Sequence, residues 1–202
     1  MIKILLAGAA LVLSAQSSLA FYVLGDSISA TRHSWPQIMR EQYGSWIRAD
    51  VQSMRALDSY EESGDFMGID GHRPLAIMAL GFNDGTYVGF DLATTADFSK
   101  KLRETVAGWR NKNLNFNKVI VVVPPDTPVS EKHHDDVRFQ VQLYCALMTL
   151  YWNQKWLHCV DWNDIGYYDN TSDGLHPTKE FSYDMAAHMY NEIINFAPEA
   201  LR

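Results

Sequence analysis

Short apolar runs alternate along the chain with longer stretches in which apolar residues recur every third or fourth position. The runs have the length of strands, and the longer stretches have the period of amphipathic helices. In the stretch 94–109, for example, Phe98, Leu102, Val106 and Trp109 share one face. The pattern predicts strands at 21–24, 47–51, 74–80, 119–123 and 157–160, and helices at 35–43, 94–109, 135–156 and 179–196.

The order of these elements indicates the fold class. Strands that alternate with helices are typical of βαβ units, which build a parallel sheet. The predicted strands are short and apolar throughout, as in a sheet that is covered on both faces. We therefore expect an α/β protein with a five-stranded, mainly parallel sheet, in which the helix at 135–156 is the longest.

Length and composition indicate one globular domain. The 202 residues are 47% hydrophobic and 20% charged, which excludes a disordered chain. The formal net charge is -7, and no stretch is rich in Lys or Arg. Nucleic acid and anionic membrane surfaces are therefore poor candidate partners.

The first twenty residues have the features of a secretory signal peptide. Lys3 precedes an apolar stretch at 4–13, and small residues occur around Ala20, where a signal peptidase would cut. An uncleaved anchor or a buried first helix is the alternative, although the apolar stretch is short for a membrane span. We expect cleavage after Ala20, a domain at 21–202, and a periplasmic or secreted protein.

The chain has two cysteines, Cys145 and Cys159. Export to an oxidising compartment would allow a disulfide between them, but two buried thiols are an equally good interpretation. The sequence leaves this question open.

Three polar motifs follow or lie between the predicted elements. They are Gly25-Asp26-Ser27-Ile28-Ser29, Gly81-Phe82-Asn83-Asp84 and Asp173-Gly174-Leu175-His176-Pro177. Each motif alone is typical of an ordinary turn. Together they contain a serine, an asparagine amide and an Asp/His pair, which are the groups that acyl transfer requires.

The spacing within the motifs predicts a role for each side chain. The carboxylate of Asp173 lies three positions before His176 and can reach its Nδ1 atom, leaving Nε2 to face Ser27 as a general base. The backbone N–H of Ser27 and the side chain of Asn83 can donate to an oxyanion.

These motifs resemble those of the SGNH (GDSL) hydrolase superfamily, in the same order and over nearly all of the chain from Phe21 to about Asn195. Exported esterases similar to thioesterase I/lysophospholipase L1 look nearest, because they share the Trp35-Pro36 pair and an early nucleophile strand. The resemblance implies a flavodoxin-like α/β/α fold and an exported ester or thioester hydrolase with Ser27, His176 and Asp173 as catalytic residues. It implies no metal or organic cofactor, and we expect a monomer.

One motif differs from the family pattern. The family has a glycine after its second strand, whose backbone N–H is an oxyanion donor, whereas the segment 50–56 has none. Because the donor is main chain, the N–H of Ser53 or Met54 can take this role. We expect Met54 to join Ser27 and Asn83 in the oxyanion hole.

Two other functions fit the same residues. The export signal and the many aromatic residues favour a carbohydrate or peptidoglycan O-deacetylase, and the missing glycine favours a catalytically degenerate binding module. The substrate class in either active form is a small-molecule or glycan acyl ester.

A separate acidic and histidine-rich segment, 131–136, contains His133, His134 and Asp135. It could suggest a metal site, but acids in the first turn of a helix are an ordinary feature. We expect a helix start there.

Overall fold

The computed structural model describes residues 20–44, 46–57, 74–87, 92–111 and 116–201. Within these ranges the chain forms five strands and six α-helices. The strands are β1 (Ala20–Gly25), β2 (Trp46–Val51), β3 (Leu75–Ala79), β4 (Lys118–Val123) and β5 (Leu157–Asp161). The helices are α1 (Ser27–Ala30), α2 (Trp35–Tyr43), α3 (Phe82–Tyr87), α4 (Leu92–Asn111), α5 (Lys132–Ala146) and α6 (Lys179–Phe196).

The strands form one parallel sheet in the order β2-β1-β3-β4-β5. In its centre, Val23 of β1 lies between Ala49 of β2 and Ile77 of β3. The predicted parallel sheet is confirmed, and every strand pair in it is parallel. The carboxyl ends of all strands therefore meet at one edge, which is where ligands bind in open α/β sheets.

Each face of the sheet is covered by helices. Along β1, Phe21 and Val23 pack on the side of α2 and α6, while Tyr22 and Leu24 pack on the side of α4 and α5. This alternation follows from the two-residue period of a strand. All four side chains are fully buried, which is why the run is apolar at every position. The three-layer α/β/α architecture expected from the sequence is confirmed.

The predicted helix boundaries agree with the structure at α2 and α6 and differ at α4 and α5. α4 runs beyond its predicted range at both ends and is the longest α-helix among the described residues. The prediction of one helix over 135–156 is wrong, because α5 ends at Ala146 and continues only as a π-helical turn at Leu147–Tyr151. The chain then reverses through Asn153, whose φ is 52°.

A disulfide joins Cys145, at the end of α5, to Cys159 on β5. The sequence left this pairing open, and the structure decides it. The bridge attaches the π-helical turn to the edge strand of the sheet.

The predicted signal segment lies almost wholly outside the described residues, whose first member, Ala20, begins β1. Among the helices that are described, none combines the length and the apolar character that crossing a membrane requires.

Candidate active site

Ser27 is the first residue of α1, and only Asp26 separates it from the carboxyl end of β1. The turn between them requires Gly25, because a Cβ atom there would lie 2.6 Å from the Cβ of Ser29. Asp26 caps the helix by accepting a hydrogen bond from the backbone N–H of Ile28 at 3.0 Å. This tight turn presents the Ser27 hydroxyl at the carboxyl edge of the sheet.

Asp173 and His176 form a compact turn between β5 and α6. One oxygen of Asp173, Oδ1, accepts hydrogen bonds from the backbone N–H groups of Leu175 at 3.0 Å and His176 at 2.7 Å. The other, Oδ2, lies 2.8 Å from Nδ1 of His176. Across the edge of the sheet, Nε2 of His176 lies 3.1 Å from Oγ of Ser27. The three side chains named from the sequence therefore form one hydrogen-bonded chain.

The hydrogen bonds around Asp173 keep it ionised. The side-chain bond from His176 lowers the pKa of Asp173 to about 2, and the two backbone N–H groups act in the same direction. A carboxylate at this site favours an imidazole with its proton on Nδ1, so that Nε2 is free to accept the proton of Ser27.

Tyr167 packs beneath the sequence of contacts in this turn and stabilises it through a hydrogen bond. This residue was not identified from the sequence. Its hydroxyl donates a hydrogen bond of 2.9 Å to the carbonyl of Leu175, and its ring is fully buried edge-on against Phe181. The turn also closes on itself, because the N–H of Ser172 donates to the carbonyl of His176 at 2.8 Å. No spacing in the sequence indicates these contacts, since they depend on how the turn folds back.

Asn83 lies in the first turn of α3, just after β3. The chain passes from β3 to α3 through Gly81, whose φ is 124°. A Cβ atom at this position would lie 2.7 Å from Cγ of Pro124. The Asn83 side chain is almost fully buried, and Nδ2 donates a hydrogen bond of 3.0 Å to the carbonyl of Arg55. An amide nitrogen carries two hydrogens, so one further hydrogen bond can be donated.

Met54 lies in the turn after β2 and has a φ of 62°, the left-handed conformation that favours glycine. A hydrogen bond of 3.1 Å from the N–H of Gln52 to the carbonyl of Gly25 joins this turn to the end of β1. Arg55, the next residue, forms an ion pair of 2.8 Å with Asp50. The backbone thus has the glycine-like form even though the residue is Met. Its role as an oxyanion donor stays a prediction.

Two buried carboxyl groups lie beneath the site, on Asp26 and Asp84. Burial raises the pKa of Asp26 to about 7, and the charge of Asp84 acts in the same direction. Oδ2 of Asp84 accepts a hydrogen bond of 2.8 Å from the N–H of Leu57. Together with the bond from Asn83 to Arg55, this contact ties the turn of Met54 to α3.

The segment 131–136 forms the start of α5, as the sequence predicted. Glu131 caps the helix, its own N–H donating to Nδ1 of His134 at 2.8 Å, and the ring of His134 stacks on Phe82 at 4.3 Å. Among the described residues, no group of three or more His, Cys, Asp or Glu side chains is arranged to hold a metal ion.

No family model matches the chain, and no curated protein matches it. Among solved structures, a carbohydrate esterase family 3 protein from Talaromyces cellulolyticus has a TM-score of 0.68 at 14% identity, covering 89% of this chain and 98% of that one. An active-site mutant of a family two carbohydrate esterase from Clostridium thermocellum has a TM-score of 0.66 at 15% identity. That match covers 87% of this chain and only 63% of that one.

A third similar structure is a member of the lipolytic protein G-D-S-L family from Veillonella parvula. It has a TM-score of 0.62 at 15% identity and covers 87% of this chain and 98% of that one. At such low identity these likenesses show the fold alone, and the fold that the motif resemblance implied is confirmed.

Proposed function

We propose, from the GDSL (SGNH) hydrolase fold that this chain has, that the protein is a serine hydrolase of carboxylic esters. One observation carries the proposal. The 3.1 Å contact between Oγ of Ser27 and Nε2 of His176 continues to Asp173 through a second contact of 2.8 Å. A nucleophile, a base and a group that orients the base are the defining geometry of this chemistry.

In the proposed reaction, Oγ of Ser27 attacks the carbonyl carbon of the ester while Nε2 of His176 accepts the hydroxyl proton. The resulting imidazolium is stabilised by the ionised Asp173. Collapse of the tetrahedral intermediate breaks the bond to the leaving oxygen, which takes the proton from His176. The acyl group then remains on Ser27.

The second half of the reaction frees the enzyme. His176 removes a proton from water, which attacks the acyl carbon, and Ser27 leaves as its hydroxyl with the proton returned. In both halves the negative oxygen would accept hydrogen bonds from the N–H of Ser27, the second N–H of the Asn83 amide and the N–H of Met54.

The proposed substrate is an acyl ester of a small molecule or a glycan. The solved structures with this fold include carbohydrate esterases from Clostridium thermocellum and Talaromyces cellulolyticus, which supports this range of substrates. The proposal includes export to the periplasm or the medium, as residues 1–20 predict. The Cys145–Cys159 disulfide supports export, because disulfides persist in oxidising compartments.

The test compares the protein with Ser27→Ala on p-nitrophenyl acetate and on a fluorophosphonate probe, whose modified residue is mapped by mass spectrometry. We expect kcat to fall by at least about 10³-fold and the label on Ser27 to disappear. The matched control is Ser99→Ala, on a half-buried serine of α4 whose hydroxyl donates to Oε1 of Gln140 at 2.8 Å. It should leave both readouts unchanged.

Undiminished hydrolysis by Ser27→Ala would exclude this serine as the nucleophile. A folded protein that neither hydrolyses esters nor reacts with the probe would instead be a binding module on the same fold.

A further inference from the structure

The loop 124–130, which joins β4 to α5, borders the candidate site. At its start, Pro124 packs against Gly81, the residue that leads from β3 into α3. A small cavity is lined both by Pro124 and by the residues on either side of Ser27. The beginning of this loop therefore lies beside the turn that presents the Ser27 hydroxyl.

The far part of the same loop packs on the turn that carries Asp173 and His176. A Cβ atom at Gly174, directly after Asp173, would lie 2.9 Å from Cγ1 of Val129 and 3.8 Å from Cβ of Pro128. Only a residue without a side chain allows so close an approach. Val129 therefore lies against the backbone of this turn, two positions before His176.

A largely buried ion pair holds the loop on the sheet. Arg138 of α5 donates hydrogen bonds to both carboxylate oxygens of Asp161, at the end of β5, and another of 2.6 Å to the carbonyl of Pro124. Asp161 also accepts a hydrogen bond of 3.0 Å from the N–H of Asn163. The side-chain oxygen of Asn163 in turn accepts one of 3.2 Å from the N–H of Asp126. These contacts hold the loop in one position, as a binding loop on a rigid scaffold requires.

A closed turn presents Val129 at the tip of the loop. The N–H of Ser130 donates to the carbonyl of Thr127 at 2.9 Å, and the N–H of Thr127 donates to the hydroxyl oxygen of Ser130 at 3.0 Å. Thr127 is buried, whereas Val129 is 47% exposed. A single exposed apolar side chain is ordinary on a protein surface. This one is held in a fixed loop beside His176, so its apolar surface is available to a substrate.

The chemistry of the site decides which part of an ester meets Val129. In the proposed reaction His176 gives its proton to the leaving oxygen, so the alcohol part of the ester lies on the side of the His176 turn. The negative oxygen lies instead beside its donors on Ser27, Asn83 and Met54. Because Val129 packs on the His176 turn, it is on the side of the alcohol.

We propose that Val129 is a specificity-determining residue that contacts the alcohol part of the ester. This inference rests on the proposed function and narrows its substrate class to acyl esters whose alcohol presents an apolar surface next to the ester oxygen. The isopropyl group of Val129 packs against carbon atoms of that alcohol and removes both surfaces from water. The acyl part of the ester does not meet Val129.

Two isomeric esters separate the alcohol part from the acyl part. Hexyl acetate carries its long chain on the alcohol, ethyl hexanoate carries it on the acyl group, and ethyl acetate is the reference for both. Acid release in a pH-stat gives kcat/KM for each ester. We expect Val129→Thr to lower the ratio of hexyl acetate to ethyl acetate about 3- to 10-fold, because a hydroxyl replaces a methyl group in a side chain of the same shape. The ratio of ethyl hexanoate to ethyl acetate should not change.

The matched control is Ile194→Thr. Ile194 is also a β-branched residue, is 43% exposed and lies near the end of α6 that is distant from the His176 turn. This substitution should leave both ratios unchanged.

Three results with Val129→Thr would overturn the proposal. Unchanged ratios would mean that Val129 does not contact the substrate. A fall in the ethyl hexanoate ratio would place Val129 beside the acyl part. An equal fall in kcat/KM for all three esters would mean that Val129 acts only by holding the His176 turn.

Failure of the proposed function gives a different result. If the unsubstituted protein hydrolyses none of the three esters and the fluorophosphonate probe does not label Ser27, the serine hydrolase is overturned and this inference with it. If Ser27 is labelled and the esters are hydrolysed with no dependence on Val129, the hydrolase stands and only the role of Val129 is overturned.

Discussion

Met54 holds a left-handed backbone conformation, with a φ of 62°, in the turn that follows β2. For a residue with a side chain this conformation costs about 1–2 kcal/mol relative to the usual right-handed one. It persists here because hydrogen bonds from Gln52 to Gly25 and from Asn83 to Arg55 hold the turn on both sides. The turn therefore holds Met54 in a backbone conformation that glycine adopts more readily.

Two substitutions of Met54 should have different effects on kcat. Met54→Gly should keep kcat on p-nitrophenyl acetate within about twofold, because glycine adopts the same conformation freely. Met54→Val should lower kcat by about tenfold or more, because a β-branched residue resists positive φ and the donor would turn away.

Ser53→Val, at the neighbouring exposed position without positive φ, is the control and should behave as the unsubstituted protein. Equal kcat values for the glycine and valine variants would mean that the Met54 N–H does not act in the reaction.

At the scale of elements, the turn between β5 and α6 that carries Asp173 and His176 is held in part by a buried phenol. The hydroxyl of Tyr167 donates to the carbonyl of Leu175, which lies between Asp173 and His176 in the turn. Thr178 then caps α6 by accepting a hydrogen bond from the N–H of Phe181 at 3.1 Å. These hydrogen bonds stabilise the turn at Leu175 and at Thr178, on either side of His176. They therefore hold His176 in position relative to Ser27.

Removing that phenol oxygen should affect the reaction more than substrate binding. Tyr167→Phe leaves the carbonyl of Leu175 without this donor, so we expect kcat to fall about 3- to 30-fold with KM nearly unchanged. The rate of fluorophosphonate labelling should fall in proportion, since it also depends on the contact of Ser27 with His176.

The adjacent Tyr168→Phe removes a hydroxyl from an exposed side chain and serves as the control. A loss of thermal stability in Tyr167→Phe with kcat and labelling rate both unchanged would make Tyr167 merely structural.

For the molecule as a whole, the buried carboxyl of Asp26 makes stability depend on pH. Its pKa is raised to about 7 by burial, whereas in the unfolded chain it is near the ordinary 3.8. Between these values the folded protein keeps a proton that the unfolded chain releases. The stabilising contribution is complete below about pH 4 and is lost as the pH rises through about 7.

Asp26→Asn should remove this dependence. Asparagine is also a good helix cap and stays uncharged, so the variant should match the unsubstituted protein near pH 4 and exceed its free energy of unfolding at pH 8. The expected difference is up to about 4 kcal/mol, the free-energy equivalent of the change in the pKa of this carboxyl on folding.

Urea denaturation at the two pH values measures this difference. Asp164→Asn, on an exposed carboxyl, should leave the pH dependence unchanged. An unchanged pH dependence in Asp26→Asn would show that the proton binds to a group other than Asp26.

The sequence by itself determined the five strands, the ranges of α2 and α6 and the three motifs that contain Ser27, Asn83 and the Asp173/His176 pair. These features are local, because hydrophobic periodicity and turn chemistry depend on residues a few positions apart. The end of α5 was predicted wrongly for the opposite reason. A run that continues to look favourable for a helix gives no sign of the turn at Asn153 that brings the chain back to β5.

Only the tertiary structure decided which distant groups meet. The contact between Ser27 and His176 joins positions 149 residues apart, and it exists because two loops end at the same edge of one sheet. The Cys145–Cys159 pairing and the hydrogen bond from Tyr167 have the same origin. Each depends on how elements pack, and packing brings together residues whose separation along the chain carries no periodic signal.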